Sequence, residues 1–94
     1  MDYESFIKSI SAEEPPAELS PYLNALWYDA KERWEMSHNI AQDINDRNGS
    51  WIHAYLHRKE GDSANAGYWY NKAGKAFPLV SLKEEWTLMV KAFI

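Results

Sequence analysis

The stretch 51–74, WIHAYLHRKEGDSANAGYWYNKAG, constrains the fold more than any other part of the chain. Apolar and aromatic residues recur at helical spacing on both sides of Lys59-Glu60-Gly61-Asp62. Gly61 suits a helix C-terminus, because it enters the left-handed region without a Cβ penalty. Asp62 or Ser63 suits the next N-cap, because a short side-chain oxygen accepts from an orphan backbone N–H. Ala54 and Ala66 place small side chains where two antiparallel helices must approach closely. Such a pair cannot cover its own apolar face and has to stack on another element.

The same punctuation divides the rest of the chain. Tyr3, Phe6, Ile7 and Ile10 stand at helical spacing, and Pro15-Pro16 then forbids helix, giving a short helix and proline linker over 1–17. Ser20-Pro21 is an N-cap followed by the one helical position that tolerates proline, so a helix over PYLNALWYDAKER is expected. Trp34 opens another, WEMSHNIAQDIN. Asn48-Gly49 is a turn dipeptide, after which Ser50 caps a helix over 51–60. A further helix is expected over 64–75, closed by Pro78. Ser81-Leu82-Lys83-Glu84 has the form of a capping box, opening a last helix with Trp86, Met89, Val90 and Phe93 on one face. No window alternates as a strand does. The class is all-α.

Function classes are narrowed by composition. The net charge is −4 and no cationic run exceeds Arg58-Lys59, which argues against nucleic acid, since counterion release needs clustered cations. There is no cysteine, hence no disulfide, thiolate metal site or cysteine nucleophile. No apolar run approaches the ~18 residues of a membrane span, so no membrane partner and a cytoplasmic location are expected. No glycine-rich phosphate loop or nucleophile elbow is present. The chain reads as a non-enzyme without a cofactor.

Setting 22–44 beneath 51–73 reveals an internal repeat. Ala25 falls under Ala54, Ser37 under Ala66, Ala41 under Tyr70 and Ile44 under Ala73, each 29 residues apart. The second copy resembles a tetratricopeptide repeat: Lys59-Glu60-Gly61-Asp62 matches that family's turn, Ala54 and Ala66 its small packing places, Tyr70 and Ala73 its aromatic and second alanine, and Pro78 its closing proline. The first copy keeps Ala25, Tyr28, Trp34 and Ser37 but has Glu32-Arg33 in place of Gly-Asp. The period is shorter than the family's ~34. The stretch WIHAYLHRKEGD is also similar to one in short bacterial proteins of unassigned function. The resemblance implies antiparallel helix pairs over 20–48 and 50–78, stacked in a short array within a domain of 18–94 and capped by a helix over 81–93.

It also implies a groove that binds a protein or peptide. Carried over position by position, the groove would present Tyr22, Leu26 and Asp29 from the first copy and Trp51, Tyr55, Arg58 and Lys59 from the second. Trp51, Tyr55 and Arg58 do share one helical face. Aromatic rings beside two cations suit a carboxylate-bearing segment, and equally suit burial of the rings with the cations solvated. The remaining aromatics, Tyr68-Trp69-Tyr70 with Trp27, Tyr28 and Trp34, offer a surface for homodimer formation. His53 and His57 stand four apart, the spacing for two ligands of one ion, with a third to come from His38, Asp43 or Asp29. The plainer reading makes them hydrogen-bonded interior histidines. A glutamate after His53, as a zinc peptidase needs, is absent.

Overall fold

The computed structural model describes all 94 residues as six helices and no strand: α1 Tyr3–Ser9, α2 Pro21–Ala30, α3 Trp34–Gln42, α4 Arg47–Glu60, α5 Ser63–Ala73 and α6 Leu82–Phe93. No helix is long and apolar enough to cross a membrane. Helices α2 and α3 form one hairpin and α4 and α5 another, with α3 packed on α4 and α6 lying across α2 and α4. The main core gathers Leu23, Leu26 and Trp27 of α2, Ile52, Tyr55 and Leu56 of α4, and Met89 and Val90 of α6.

The two hairpin turns share one backbone course. Gly61 takes φ +92° and Asp62 φ −92°, ψ +78°; at the equivalent places Glu32 takes φ +59° and Arg33 φ −106°, ψ +70°. In each turn the second of these residues donates its N–H to a carbonyl five residues back, Asp62 to His57 at 2.9 Å and Arg33 to Tyr28 at 3.0 Å. This closure satisfies carbonyls that the ending helix leaves open. The small residues of the repeat are all fully buried, and Ser37 Oγ donates to the Ala25 carbonyl at 2.7 Å across the α2–α3 contact.

Several boundaries differ from the sequence expectation, each for a local reason. Helix α2 ends at Ala30, three residues early, because Glu32 turns the chain in the left-handed region. Helix α4 begins at Arg47 rather than after Ser50, since the Asp46 carboxylate caps it by accepting the Gly49 N–H at 2.8 Å. Asn48-Gly49 therefore lies inside the first turn of a helix. Gly49 is needed for closeness: a Cβ there would sit 2.4 Å from the Ile44 carbonyl oxygen. Helix α5 stops at Ala73, with Gly74 at φ +73°. At α6, Ser81 Oγ accepts the Glu84 N–H as expected, but the Glu84 carboxylate receives the Ser81 hydroxyl instead of a backbone N–H.

The segment 1–17, expected as a short helix and proline linker, docks on the rest of the chain. Phe6 is fully buried in the main core with its ring 6.1 Å from that of Trp86, and Lys31 Nζ donates to the carbonyls of Ile10 and Ala12. One core therefore includes both parts of the chain.

Glu32 carries a Cβ in a conformation that glycine adopts freely, a cost of about 1 kcal/mol, and Arg33 provides no side-chain cap for α3. Copying the second turn into the first, Glu32→Gly with Arg33→Asp, is expected to stabilise the protein by about 1–2 kcal/mol. Urea unfolding checks this, and a midpoint at or below that of the native protein would contradict it.

Candidate metal centre

Three consecutive helices each turn an i, i+4 pair toward one place. Trp34 and His38 come from α3, His53 and His57 from α4, and Asn65 and Trp69 from α5; residues four apart on a helix lie on one face. The ring centroids of His38 and His53 are 4.6 Å apart, those of His53 and His57 4.8 Å, and those of His38 and His57 5.1 Å. One ring nitrogen from each of the three lies within 4.8 Å of the others. Trp69 stacks on His53 at 3.9 Å and Trp34 on His38 at 4.8 Å, so indoles hold the outer faces of the cluster. Trp34 is itself fixed by its Nε1–H, which donates to the Leu56 carbonyl at 2.8 Å.

His57 is oriented by Glu60: its Nδ1 lies 2.6 Å from that carboxylate, an acceptor, so Nδ1 carries a proton and Nε2 is the nitrogen turned away from Glu60. A carboxylate behind a ring nitrogen is also the usual outer support of a metal-bound histidine. The Asn65 side-chain amide approaches Nε2 at 3.4 Å. His53 is only 6% exposed, yet neither of its ring nitrogens meets a protein hydrogen-bond partner. His53 is thus interior, as the plainer reading expected, but without a protein hydrogen-bond partner.

Burial, reinforced by His38 and His57 close by, pushes the His53 pKa down to about 4. Burial also holds His38 below its ordinary value; His57 adds to that depression and Glu60 opposes it. At neutral pH His38 and His53 are accordingly neutral, the form that donates to a metal. Of the three candidates for a third ligand, His38 joins the pair. Asp43 is exposed on α3's C-terminal turn, and Asp29 is committed to the opposite side of α4.

That opposite side is where the groove was expected, and it is covered by α6. Leu26, Asp29 and Tyr55 are buried; Tyr22, Trp51, Arg58 and Lys59 are half-buried. The cations are already spent on the chain's own carboxylates, Arg58 on Glu85 at 2.8 Å and Lys59 on Asp29 at 2.9 Å and Glu32 at 3.5 Å. Tyr55 donates to Asp29 at 2.7 Å, and burial raises its pKa far above the ordinary phenol. Trp51 lies between the Phe93 ring and the Lys75 ammonium, and the Tyr22 hydroxyl donates to Asp46. The seven residues do come together around α4, but as the polar seam under α6 and not as an open groove. What remains open there is a cleft of about 390 Å³ between α2, α4 and α6.

Glu85 is a buried polar residue that the sequence motifs did not single out. A first-turn acid ordinarily stays in solvent and favours the helix dipole, yet Glu85 is 1% exposed and accepts from Trp51 Nε1 at 3.1 Å, Arg58 at 2.8 Å and the Tyr70 hydroxyl at 2.6 Å. The available signal was its i, i+4, i+5 relation to Met89 and Val90, which puts it on the apolar side of α6.

No protein-family model, curated protein or solved structure matches the chain.

The depressed His53 pKa has a definite sign for stability. An unfolded histidine takes its proton near pH 6.5 and folded His53 near 4. The unfolded state binds more protons in that window, so stability falls as pH drops through it, by on the order of 3 kcal/mol from this residue. His53→Phe is expected to move the acid-unfolding midpoint to lower pH, as followed by helical circular dichroism. An unchanged midpoint would show that His53 does not carry the effect.

Proposed function

We propose that this protein binds a first-row transition-metal ion of the zinc type through His38, His53 and His57, with Glu60 orienting His57 from behind. The observation that carries the reading is His53. It is a buried imidazole with no protein partner, neutral at physiological pH, facing two further imidazoles whose nitrogens lie within 4.8 Å. Its ring nitrogens stay within reach of solvent at the edge of a pocket, so an ion could use a lone pair that no protein group occupies. Bonds of ~2.0–2.1 Å from three imidazoles require nitrogens about 3.4 Å apart, so small side-chain rotations bring the three to an ion. Three protein nitrogens leave one position of a tetrahedral ion for an external ligand.

Cobalt(II) or zinc added to the metal-free protein is expected to bind at one equivalent, with cobalt giving the visible absorption of a four-coordinate site. Zinc at about 100-fold over its dissociation constant should stabilise the fold by about 2.7 kcal/mol in thermal unfolding. His38→Ala should abolish saturable binding, and Glu60→Gln should weaken it by about 10–100-fold. Binding that survives His38→Ala unchanged, or no stoichiometric binding by the native chain, would overturn the proposal.

A second reading, a protein-binding module with tetratricopeptide-like stacking of α2–α3 on α4–α5, is favoured by a different observation. Leu79 is fully exposed, with Phe77 and Leu88 about half exposed, on the segment between α5 and α6 and on α6 itself. Exposed apolar side chains of this kind suit a partner surface better than solvent. If the patch works in this way, Leu79→Asp removes partner binding without altering the metal titration, and sedimentation across concentration shows whether a second copy is the partner.

A further inference from the structure

Beside the histidines lies a pocket that the metal reading does not use. It has a volume of about 350 Å³, at the lower end of small-molecule sites. Its walls come from the α3–α4 connection, the first turns of α4 and the outer side of α5, and include Asn45, Arg47, Ser50, His53, Trp69 and Lys72. His53 belongs to both places, so the pocket opens onto one edge of the imidazole cluster.

Three features give the pocket a chemical preference. Its charge is positive, because Arg47 and Lys72 face a single carboxylate, Asp46. That carboxylate is occupied, accepting from the Tyr22 hydroxyl and from the Gly49 N–H. Second, the cations are not spent. The ion pairs of the protein use His57, Arg58 and Lys59, and leave Arg47 and Lys72 out. The Arg47 guanidinium lies over Gly74, within 3.7 Å of where a side-chain carbon would begin, so the bare glycine gives it room. The Lys72 ammonium sits 5.1 Å from the centre of the Trp69 ring. Third, Trp69 supplies a large apolar wall whose position is fixed by stacking on His53.

The geometry points to a binding site for a small molecule bearing an oxyanion, carboxylate or phosphate, held by Arg47 and Lys72 with its body against Trp69. Arg47 offers the planar fork that suits either oxyanion, and Lys72 a mobile point charge. Asn45 and Ser50 add neutral polar groups along the wall. The inference shares His53 with the metal centre but rests on the pocket's own lining, and it holds whether or not an ion occupies the histidines.

Succinate and inorganic phosphate serve as probes, titrated separately at low ionic strength against zinc-free and zinc-treated protein, with sodium chloride at matched ionic strength as the reference. The readout is the nuclear magnetic resonance signal of the Trp69 indole N–H, assigned with Trp69→Phe. A saturable shift is expected with at least one probe, the tighter of the two identifying carboxylate or phosphate as the preferred group. In Arg47→Gln/Lys72→Gln the binding should weaken tenfold or more, while zinc affinity stays as in the native chain; Lys72→Gln alone should weaken it less. No shift with either probe in either form, or native affinity in the double variant, would overturn the inference. A zinc titration that fails while the anion shift persists would remove only the metal reading.

Discussion

The arrangement depends on a buried carboxylate. Glu85 enters the interior on the apolar side of α6 and is met there by Trp51 and Arg58 of α4 and Tyr70 of α5. An ionised group in such a place is tolerated only when its acceptor sites are filled, and removing one partner leaves the desolvation cost standing. Three donors from two helices fill them. The carboxylate thereby fixes both the depth and the rotation of α6, because a helix turned by one residue would swing the charge away from the three donors that satisfy it. Arg58 extends the same link to the Val80 carbonyl at the start of α6.

With α6 pinned in this way, α4 becomes a helix with two different sides. Trp51, Tyr55, Arg58 and Lys59 form a charged and aromatic seam toward α2 and α6, each cation matched by a carboxylate of the same chain. His53 and His57 lie on the other side, toward α3 and α5, where the neighbouring residues are indoles, an amide and a third imidazole. Polar groups on the first side are satisfied internally, which suits stability. On the second side, His57 meets Glu60 and Asn65, and His53 is left without a protein hydrogen-bond partner. On the first side only the cleft lined by Asp29, Tyr55 and Lys59 stays open.

How much of this was legible in the sequence depended on the range of the interaction. The hairpin turns were readable, because Gly61-Asp62 is a local signal, and even the divergent Glu32-Arg33 turn keeps its backbone course. The all-helical class followed from caps and spacing alone. Asn48-Gly49 misled although its partners are local: a better cap at Asp46 and the close approach of Ile44, both within five residues, draw it into the first turn of α4. The role of Glu85 was out of reach for the opposite reason: its partners Trp51, Arg58 and Tyr70 are distant in sequence, and only its register with Met89 and Val90 pointed inward. The pair His53 and His57 was visible from spacing. His38 stood only as one of three possible third ligands, since choosing it requires the packing of α3 on α4.

The 29-residue repeat explains the scaffold and leaves the site unexplained, and the difference is informative. Shifted by one repeat, His53 corresponds to Asn24, His57 to Tyr28 and His38 to Gly67, so no copy contains a second version of the cluster. The packing residues do recur: Ala25 with Ala54 and Ser37 with Ala66 are buried in both hairpins. The cluster takes His38 from the first hairpin and His53, His57, Asn65 and Trp69 from the second. It therefore exists only at the junction where α3 meets α4, and neither hairpin holds it alone. A ligand bridging His38 to His53 and His57 would tie the two hairpins together at that junction. At that junction the Trp34 indole already donates to the Leu56 carbonyl, and such a bridge would add a second constraint on the side that the buried carboxylate does not reach.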